Sequence, residues 1–274
     1  MSKLGYERAA VAGSGTVATG LAACASAAGP VVLLARSERS ASAATDAVAA
    51  TSEKVADADP GRVRATTDAG DLAGCDLVVE AIVEEPAAKV AMISELARVC
   101  PDADLATTTS SLSVSELGAS SGSADRLFGL HVFNPVARME LVEVCFPEAI
   151  REGVRDRAFA WCEGIGKTPV EVPDQSGFVV NRLLFPYLFD AVRMVERTGM
   201  KPADVDTCMK LGTGHPMGPL ALLDLVGIDV AVAIGEALHD ETREAAHLPP
   251  GRLIEMVGDG RLGVKSGSGF FDYE

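Results

Sequence analysis

The segment GLHVFNPVARMELVEV combines a histidine with an acid twelve positions later, a pair suited to proton transfer. His131 lies in an apolar run over residues 127–133, which an Asn-Pro pair ends before a second run begins at residue 140. Two neighbouring strands of this kind can bring His131 and Glu143 face to face. A neutral imidazole takes a hydroxyl proton at physiological pH, and a carboxylate on its other nitrogen stabilises the imidazolium that forms. We therefore predict a general base with its orienting partner; a buried structural histidine is the alternative.

A second candidate site is the glycine-rich stretch GSGTVA near the N-terminus. It follows a short apolar run and opens a helical one, a context in which glycines let backbone amides approach a pyrophosphate. We expect five residues of this stretch to contact a dinucleotide: Gly13, Gly15, Thr16, Val17 and Ala18. A glycine-rich turn that binds nothing is the alternative.

The run VVLLARS is expected to end the second strand, where NAD-binding proteins carry an acid for the adenosine ribose. Here Ala35 takes that position and is followed by Arg36 and Ser37. The missing carboxylate removes a repulsion against a 2'-phosphate, which a guanidinium group and a hydroxyl group can bind. This pattern predicts a preference for NADP(H) over NAD(H). If Arg36 is only a surface arginine, NAD(H) is still accepted.

These candidate residues need a sheet whose strands end close together. Over residues 8–173, strand-like runs such as RAAVAG, VVLLA and DLVVEAI alternate with helical stretches, which is typical of a parallel sheet built from crossover units. We predict an α/β dinucleotide-binding domain at 1–173, with a Rossmann-type doubly wound sheet. From residue 178 onward the apolar residues keep a helical period, so we expect a smaller all-α domain at 174–274.

The composition excludes several classes of function. The 274 residues include 39 acidic and 24 basic side chains, a net charge of −15, which argues against a nucleic-acid-binding surface. The six cysteines form no C-x-x-C pair, which favours free thiols in a reducing cytoplasm. We expect no signal peptide, no membrane span and, with four scattered histidines, no metal site.

The motifs GSGTVA, GLHVFNP, SGFVVNRLL, LGTGHPMGP and GSGFFDY, in this order along almost the whole chain, resemble those of the 3-hydroxyacyl-CoA dehydrogenases. The resemblance implies that His131 and Glu143 are catalytic, and that Ser110 and Asn181 complete the catalytic set by binding the substrate oxygen. Ser110 also follows a predicted strand, at the sheet edge where ligands of such folds bind. Taken alone, a serine or an asparagine in these places is more often structural.

The same resemblance implies further contacts. Five residues would bind the cofactor in addition to the glycine loop and the end of the second strand: Glu84, Lys89, Ser110, Asn134 and Lys265. Thr51 would take the place of a family hydroxyl that binds the substrate. The C-terminal helical domain would form the interface of a homodimer and close over the active site.

One segment departs from the family pattern. Many relatives have a longer, lysine-bearing helical hairpin that grips coenzyme A, whereas this chain has the short stretch ATSEKVADADPGR. The family's basic position is Ala58, with an acid on either side, so phosphates would meet repulsion unless Lys54, Arg62 or Arg64 compensates. The phosphates would then remain in solvent, or the acyl group would arrive on the phosphopantetheine of an acyl carrier protein.

The leading hypothesis is an oxidoreductase that interconverts L-3-hydroxyacyl and 3-oxoacyl thioesters by hydride transfer with a nicotinamide cofactor, preferably NADP(H). Its substrate would be an acyl-CoA or, in secondary metabolism, an acyl-carrier thioester; a free hydroxy acid is a third alternative. A dinucleotide-binding structural protein without catalysis is the alternative from another class. The intact set of Ser110, His131, Glu143 and Asn181 opposes that alternative.

Overall fold

Within residues 5–273, which the computed structural model of the protein describes, eight strands form one sheet. The order across the sheet is β3-β2-β1-β4-β5-β6-β7-β8. Strands β1 to β6 run parallel, β7 is antiparallel to β6, and β8 is parallel to β7. The strands are β1 (Ala9–Ala12), β2 (Val31–Leu34), β3 (Val63–Thr66), β4 (Leu77–Glu80), β5 (Asp104–Thr107), β6 (Leu127–Val132), β7 (Leu141–Cys145) and β8 (Thr168–Glu171).

Helices connect most of these strands, and the strand order confirms the predicted Rossmann-type doubly wound sheet. The chain adds β2 and β3 on one side of β1 and then returns to add β4 on the other side, which creates a switch point between β1 and β4. In such folds the crevice at the carboxyl ends of these two strands is where ligands bind. The helices are α1 (Thr16–Ala25), α2 (Glu38–Ser52), α3 (Pro86–Val99), α4 (Val114–Ser121) and α5 (Val154–Gly164).

Helix α1 lies close to the sheet because its side chains are small. Every residue from Ala18 to Ala25 is buried, and β1 is buried along its whole length. Gly20 permits an especially close contact, since a Cβ atom at this position would lie only 2.9 Å from Cβ of Val136. The apolar core of the sheet therefore continues into the helix that starts at the glycine-rich loop.

The chain divides into two structural units, of which the first ends at Gln175 and the second begins at Ser176. The sequence suggested a boundary before Asp174. Asp174 lies in the first unit because its carboxylate accepts hydrogen bonds from the backbone N–H groups of Val114 (2.9 Å) and Ser115 (2.8 Å). These bonds fasten the end of the first unit to the N-terminus of α4.

The second unit is helical and has its own apolar core. Its longest helix, α6, buries Phe185, Leu188, Phe189 and Val192 along one face, as the sequence period predicts. The helices are α6 (Val180–Thr198), α7 (Pro202–Thr213), α8 (Pro219–Val226), α9 (Ile228–Thr242) and α10 (Gly251–Gly258). Among residues 5–273, none of the helices combines the length and the apolar composition that crossing a membrane requires.

Asp224, at the end of the second unit's core, holds the C-terminal segment in place. Its side chain is fully buried and accepts hydrogen bonds from the N–H groups of Phe270 and Phe271 and from the hydroxyl group of Tyr273, each 2.9 Å long. Gly269 is required here, since any Cβ atom at that position would overlap the Asp224 carboxylate. The motif GSGFFDY is thus fixed by one buried acid.

A comparable acid, Asp104, lies at the opposite edge of the sheet from the candidate site. Its carboxylate is buried at the start of β5 and accepts hydrogen bonds from the Tyr6 hydroxyl (2.8 Å), from Arg151 (2.6 Å) and from Arg157 (2.6 Å). A buried carboxylate with three donors stabilises the fold because each donor would otherwise lose a partner. Asp104 therefore anchors Tyr6 and α5 to the sheet.

We predict that Asp104→Ala lowers the free energy of unfolding by about 2–4 kcal/mol, because it leaves a buried hydroxyl and two guanidinium groups without their acceptor. Urea unfolding followed by circular dichroism measures this change. The control is Asp102→Ala, two residues earlier at an exposed position, which should change stability by no more than about 0.5 kcal/mol. Equal effects of the two substitutions would contradict the proposed anchoring role.

Candidate active site

The antiparallel pairing of β6 and β7 brings His131 and Glu143 together. The two residues are direct partners in the register, so both side chains emerge on the same face of the sheet. Nδ1 of His131 lies 2.7 Å from Oε2 of Glu143, and both side chains are buried. Because an ionised carboxylate only accepts hydrogen bonds, Nδ1 carries the proton in the neutral ring and Nε2 is left as the basic nitrogen. The pair has the geometry of a general base with an orienting acid.

The glycine-rich loop connects β1 to α1 at the switch point. Gly13 has a φ of +145°, and a Cβ atom there would lie 2.2 Å from the carbonyl oxygen of Ala81, so only glycine fits between β1 and β4. Gly15 is the N-cap of α1, receives no side-chain cap, and has nothing within 4 Å of where its Cβ atom would lie. The first amides of α1 are thus open to an anion at the positive end of the helix.

The remaining residues of this loop differ in exposure. Thr16 is exposed, Val17 is half-buried, and Ala18 is fully buried under the turn. The methyl group of Ala18 lies 3.2 Å from where a Gly13 Cβ atom would be, so it packs against the loop itself. The loop therefore offers backbone amides to a pyrophosphate, and its residues fit the dinucleotide that the sequence predicts.

The end of β2 presents a basic and hydroxyl-rich surface. Ala35 is buried, whereas Arg36 and Ser37 are exposed. Ser37 is the N-cap of α2: its Oγ atom accepts a hydrogen bond from the N–H group of Ser40 (3.2 Å) and lies 2.9 Å from the Ser40 Oγ atom. The sequence pattern pointed to Arg36 and Ser37, and the structure adds Ser40 through its hydroxyl group; Glu38 and Arg39, between them in the first turn of α2, are exposed.

A buried ion-pair network lies at the end of β4. The side chain of Lys89 is only 1% exposed, and its Nζ atom donates to both carboxylate oxygens of Glu80 (2.9 and 3.0 Å) and approaches Glu84 at 3.3 Å. Glu80, itself fully buried, also accepts from the Thr107 hydroxyl (2.6 Å) and from the N–H group of Ile82 (2.7 Å). The buried ammonium group of Lys89 therefore binds two carboxylates, those of Glu80 and Glu84.

The carboxylate of Glu84 in turn holds the loop after β5 in place. Its Oε1 atom accepts from the Thr109 hydroxyl (2.7 Å), from the N–H groups of Ser110 (2.8 Å) and Ser111 (3.0 Å), and from their hydroxyl groups. Burial alone would raise the pKa of Glu84, but the charge of Lys89 and these hydrogen bonds outweigh it and hold the pKa below its ordinary value. Ser110 is thus positioned by an ionised carboxylate.

Three residues of this network were absent from the predicted site: Glu80, Thr107 and Thr109. Their roles depend on contacts across neighbouring strands, which spacing along the chain does not reveal. One indication was present, since an acid that ends the apolar run LVVE and a lysine nine positions later both require partners once buried. Ser111 contacts the same carboxylate as Ser110.

Of the other predicted residues, two lie in the first unit and two in the second. Asn134 is exposed in the turn between β6 and β7, and Thr51 is half-buried in the last turn of α2. Asn181 and Lys265 belong to the second unit: Asn181 is buried in the first turn of α6, and Lys265 forms an ion pair with Asp229. Their roles in binding remain predictions.

Within residues 5–273, no group of three or more histidine, cysteine or acidic side chains could hold a metal ion. The polar groups that the site does contain are the imidazole–carboxylate pair, the ordered serine loop and the open helix N-terminus. Such a set can exchange a proton and bind a diphosphate. These are the functions that a nicotinamide-dependent dehydrogenase requires of its protein chain.

Comparison with known proteins agrees with this arrangement. The model of the 3-hydroxyacyl-CoA dehydrogenase NAD binding domain matches residues 8–175, and that of the 3-hydroxyacyl-CoA dehydrogenase C-terminal domain matches residues 177–273. The chain belongs to the 3-hydroxyacyl-CoA dehydrogenase family. The first structural unit thus corresponds to the family's NAD binding domain, and the second to its C-terminal domain.

Several members of the 3-hydroxyacyl-CoA dehydrogenase family are similar to this chain over most of its length. The 3-hydroxybutyryl-CoA dehydrogenase of Mycobacterium tuberculosis is 44% identical over 211 residues, which cover 76% of this chain and 74% of that protein. The crystal structure of M. tuberculosis FadB2 superposes with a TM-score of 0.93 at 38% identity, covering 98% and 99% of the two chains. That of (S)-3-hydroxybutyryl-CoA dehydrogenase PaaH1 from Ralstonia eutropha gives 0.91 at 33% identity, with the same coverage.

The glycine loop of this family member gives a test of cofactor binding that is separate from folding. We predict that Gly15→Ala changes the free energy of unfolding by less than about 1 kcal/mol, because the new methyl group meets open space. The same methyl group would obstruct the pyrophosphate, so we expect the Kd for NAD(P)H to rise roughly 10- to 100-fold. Cofactor fluorescence measures the Kd, and thermal denaturation measures the stability.

Gly13→Ala is the matched comparison, since its Cβ atom would collide with the Ala81 carbonyl whether or not a cofactor is bound. We expect this variant to lose about 3 kcal/mol or more of stability. If Gly15→Ala destabilised the fold as much as Gly13→Ala, or bound cofactor normally, the open position at Gly15 would not be the place where the diphosphate binds.

Proposed function

We propose that the protein is an L-3-hydroxyacyl thioester dehydrogenase, which interconverts L-3-hydroxyacyl and 3-oxoacyl thioesters. The observation that carries this proposal is the buried His131–Glu143 pair, with 2.7 Å between Nδ1 and Oε2, at the carboxyl edge of an NAD binding domain. The names of several relatives that are 41–44% identical support the substrate class, since two of them are 3-hydroxybutyryl-CoA dehydrogenases.

In the proposed mechanism His131 takes the proton of the substrate's 3-hydroxyl group at Nε2. When the nicotinamide is bound, it would supply the hydride exchange at the carbon that carries this hydroxyl group. Glu143 accepts from Nδ1 and stabilises the imidazolium that forms, so that proton removal leaves no uncompensated buried charge. In the reducing direction the same imidazolium returns the proton to the oxygen.

Ser110 has the second role in this mechanism. Its N–H and hydroxyl groups are held by Glu84, which is held in turn by the Lys89 ammonium. The bond from the N–H group fixes the backbone at Ser110; the hydroxyl group carries a single proton, which turns from Glu84 to the substrate oxygen when the substrate binds and can then stabilise charge that develops there. We propose that Asn181 of the second unit, whose amide is buried at the start of α6, binds the same oxygen.

Replacement of His131 by glutamine tests the assignment of the general base. We expect kcat for the reduction of acetoacetyl-CoA to fall by about 10²- to 10⁴-fold, while the Kd for NAD(P)H changes little, because the amide cannot exchange the proton. The control is His239→Gln, in the last turn of α9, which should retain normal activity. A loss of cofactor binding equal to the loss of turnover would contradict this role.

We also propose that the enzyme prefers NADP(H). Ala35 places no carboxylate at the end of β2, and Arg36 and Arg39 are exposed in the same segment as the Ser37–Ser40 hydroxyl pair, while the carboxylate of Glu38 accepts from Thr67. A phosphate monoester is bound well by guanidinium and hydroxyl donors together. The other adenosine contacts are common to both cofactors, so the preference depends on this surface.

We expect the wild-type enzyme to reduce acetoacetyl-CoA with a higher kcat/KM for NADPH than for NADH. Arg36→Ala should lower kcat/KM for NADPH about 10- to 100-fold and leave that for NADH within about threefold, because only NADPH carries the phosphate. Ala35→Asp should also lower kcat/KM for NADPH, because the new carboxylate would repel the 2'-phosphate. Initial rates at equal cofactor concentrations measure both; a preference for NADH in the wild type would exclude the phosphate site.

A second candidate substrate is an acyl group on a carrier protein. Of the three basic residues available to the phosphates of coenzyme A in the short segment after α2, two are already paired: Arg62 with Asp59 at 3.5 Å and Arg64 with Asp71 at 2.8 Å. The hydrogen bond from Arg64 lowers the pKa of Asp71, so this pair stays ionised. Lys54 is exposed and is the third. This favours a substrate whose binding needs few phosphate contacts.

Turnover of acetoacetyl-CoA, of the same acyl group on a phosphopantetheinylated carrier protein, and of free acetoacetate separates these candidates. Rapid reduction of acetoacetyl-CoA supports the first proposal, and rapid reduction of the carrier-bound group alone supports the second. No turnover with any of them despite cofactor binding would favour a dinucleotide-binding protein without catalysis.

We propose further that the protein works as a homodimer in the cytoplasm. The second unit exposes large apolar side chains that a partner subunit could cover, including Leu183, Leu211, Leu225 and Ile254. All six cysteines are free thiols and five of them are buried, which is compatible with a reducing compartment.

A further inference from the structure

The turn between β6 and β7 joins the strand of His131 to the strand of Glu143 and carries Asn134. It spans residues 133–140 and contains a hydrogen-bonded turn, in which the N–H groups of Arg138 and Met139 both donate to the carbonyl group of Pro135 (2.9 and 3.1 Å). Asn134 itself is exposed. Contacts that hold the backbone of this turn therefore also set the position of Asn134 and its amide group.

A buried lysine from a distant part of the sequence binds this turn. Lys167, which lies just before β8, is only 7% exposed, and its Nζ atom donates to the carbonyl groups of Val136 and Met139, the latter at 2.9 Å. In the part of the chain that the structure describes, Lys167 takes part in none of the ion pairs between basic and acidic side chains.

Burying an ammonium group without a carboxylate partner is unfavourable in free energy. Apolar side chains would fill the same space without this desolvation penalty. The two carbonyl oxygens offset part of that cost through charge-assisted hydrogen bonds. Both oxygens belong to the turn, so these two bonds hold the turn, and the same ammonium group also interacts with the Cys24 thiol of α1.

A second contact packs the turn against α1, the helix that follows the glycine loop. The side chain of Val136 is 3% exposed and packs on α1 at Gly20, where a Cβ atom would lie 2.9 Å from Cβ of Val136. The thiol of Cys24, one turn further along α1, reaches the same Val136 carbonyl at 3.9 Å. Since α1 begins at the glycine loop, the turn is fixed relative to the open helix N-terminus.

We infer that Lys167 is a positioning residue for the cofactor: by binding the Val136 and Met139 carbonyls, with Val136 seated on Gly20, it sets the Asn134 amide where the dinucleotide binds. This inference rests on the proposed function, in which Asn134 contacts the cofactor. Lys167 touches neither the substrate nor the reacting atoms. Its effect passes through the backbone of residues 134–139.

The experiment measures the Kd for NADPH by cofactor fluorescence for wild type, Lys167→Met, Asn134→Ala and the double variant. Methionine is an unbranched side chain one atom shorter than lysine, and it removes the three donors. We expect Lys167→Met and Asn134→Ala each to raise the Kd by about 5- to 30-fold, and the double variant to be no worse than Asn134→Ala alone, because both act on one contact. Additive losses in the double variant would overturn the inference.

Hydrogen exchange of the amides in residues 133–140 gives a readout that does not depend on cofactor. Lys167→Met should speed exchange at Arg138 and Met139, and leave protection of β1 and β4 unchanged. Tyr6→Phe is the control matched for stability, since it removes a different buried hydrogen bond at the opposite edge of the sheet. This control should leave both the exchange of the turn and the Kd as in wild type.

Gly20→Ala provides a variant that keeps the fold if Lys167→Met does not, since alanine favours the helix while its methyl group displaces Val136. We expect the same rise in the Kd for NADPH. If Asn134→Ala raises the Kd but Lys167→Met and Gly20→Ala do not, Lys167 has no positioning role. If Asn134→Ala leaves the Kd unchanged, the proposed cofactor contact of Asn134 is wrong, whatever the exchange of the turn reports.

Discussion

The reversal of chain direction between β6 and β7 is the constraint on which the rest of the site depends. A parallel neighbour of β6 would require a long crossover, and its side chains would come from a distant part of the chain. The antiparallel return places His131 and Glu143 in direct register after a turn of eight residues, from 133 to 140. One backbone pairing thus fixes the distance, the tautomer and the burial of the pair, and the turn that makes it also presents Asn134.

The carboxyl edge of the sheet contains more charge than a protein interior normally accepts. Glu80 and Lys89 are almost completely buried, which is favourable only because hydrogen bonds satisfy the carboxylate from several directions. The buried charges order the site: Glu84, held by Lys89, accepts hydrogen bonds from several donors in the loop after β5. Catalysis by fixed dipoles needs such order before the substrate arrives, and it would be lost if these groups were free to reorient in water.

The sequence predicted what depends on short-range pattern and missed what depends on pairing across the fold. His131 and Glu143 were predictable because the strand–turn–strand pattern brings them opposite one another. The helical nature of the second unit was equally clear, since α6 keeps one apolar face for its whole length. Glu80 and Lys167 were not predicted, because their partners lie on other strands or in a distant turn. Lys89 was predicted as a cofactor ligand from resemblance, but its burial between two acids appears only in three dimensions.

The net charge of −15 poses a problem that the local structure resolves. A dinucleotide and an acyl thioester of coenzyme A are both polyanions, and the chain as a whole repels them. At physiological ionic strength, however, charges more than about 8 Å apart are largely screened, so binding depends on the groups next to each phosphate. The open N-terminus of α1 and the exposed guanidinium of Arg36 are available to phosphates, whereas Arg62 and Arg64 are paired within the chain. On the proposed assignment, the cofactor's phosphates meet open donors and the substrate's phosphates meet paired ones, so the choice of acyl carrier would depend on this difference.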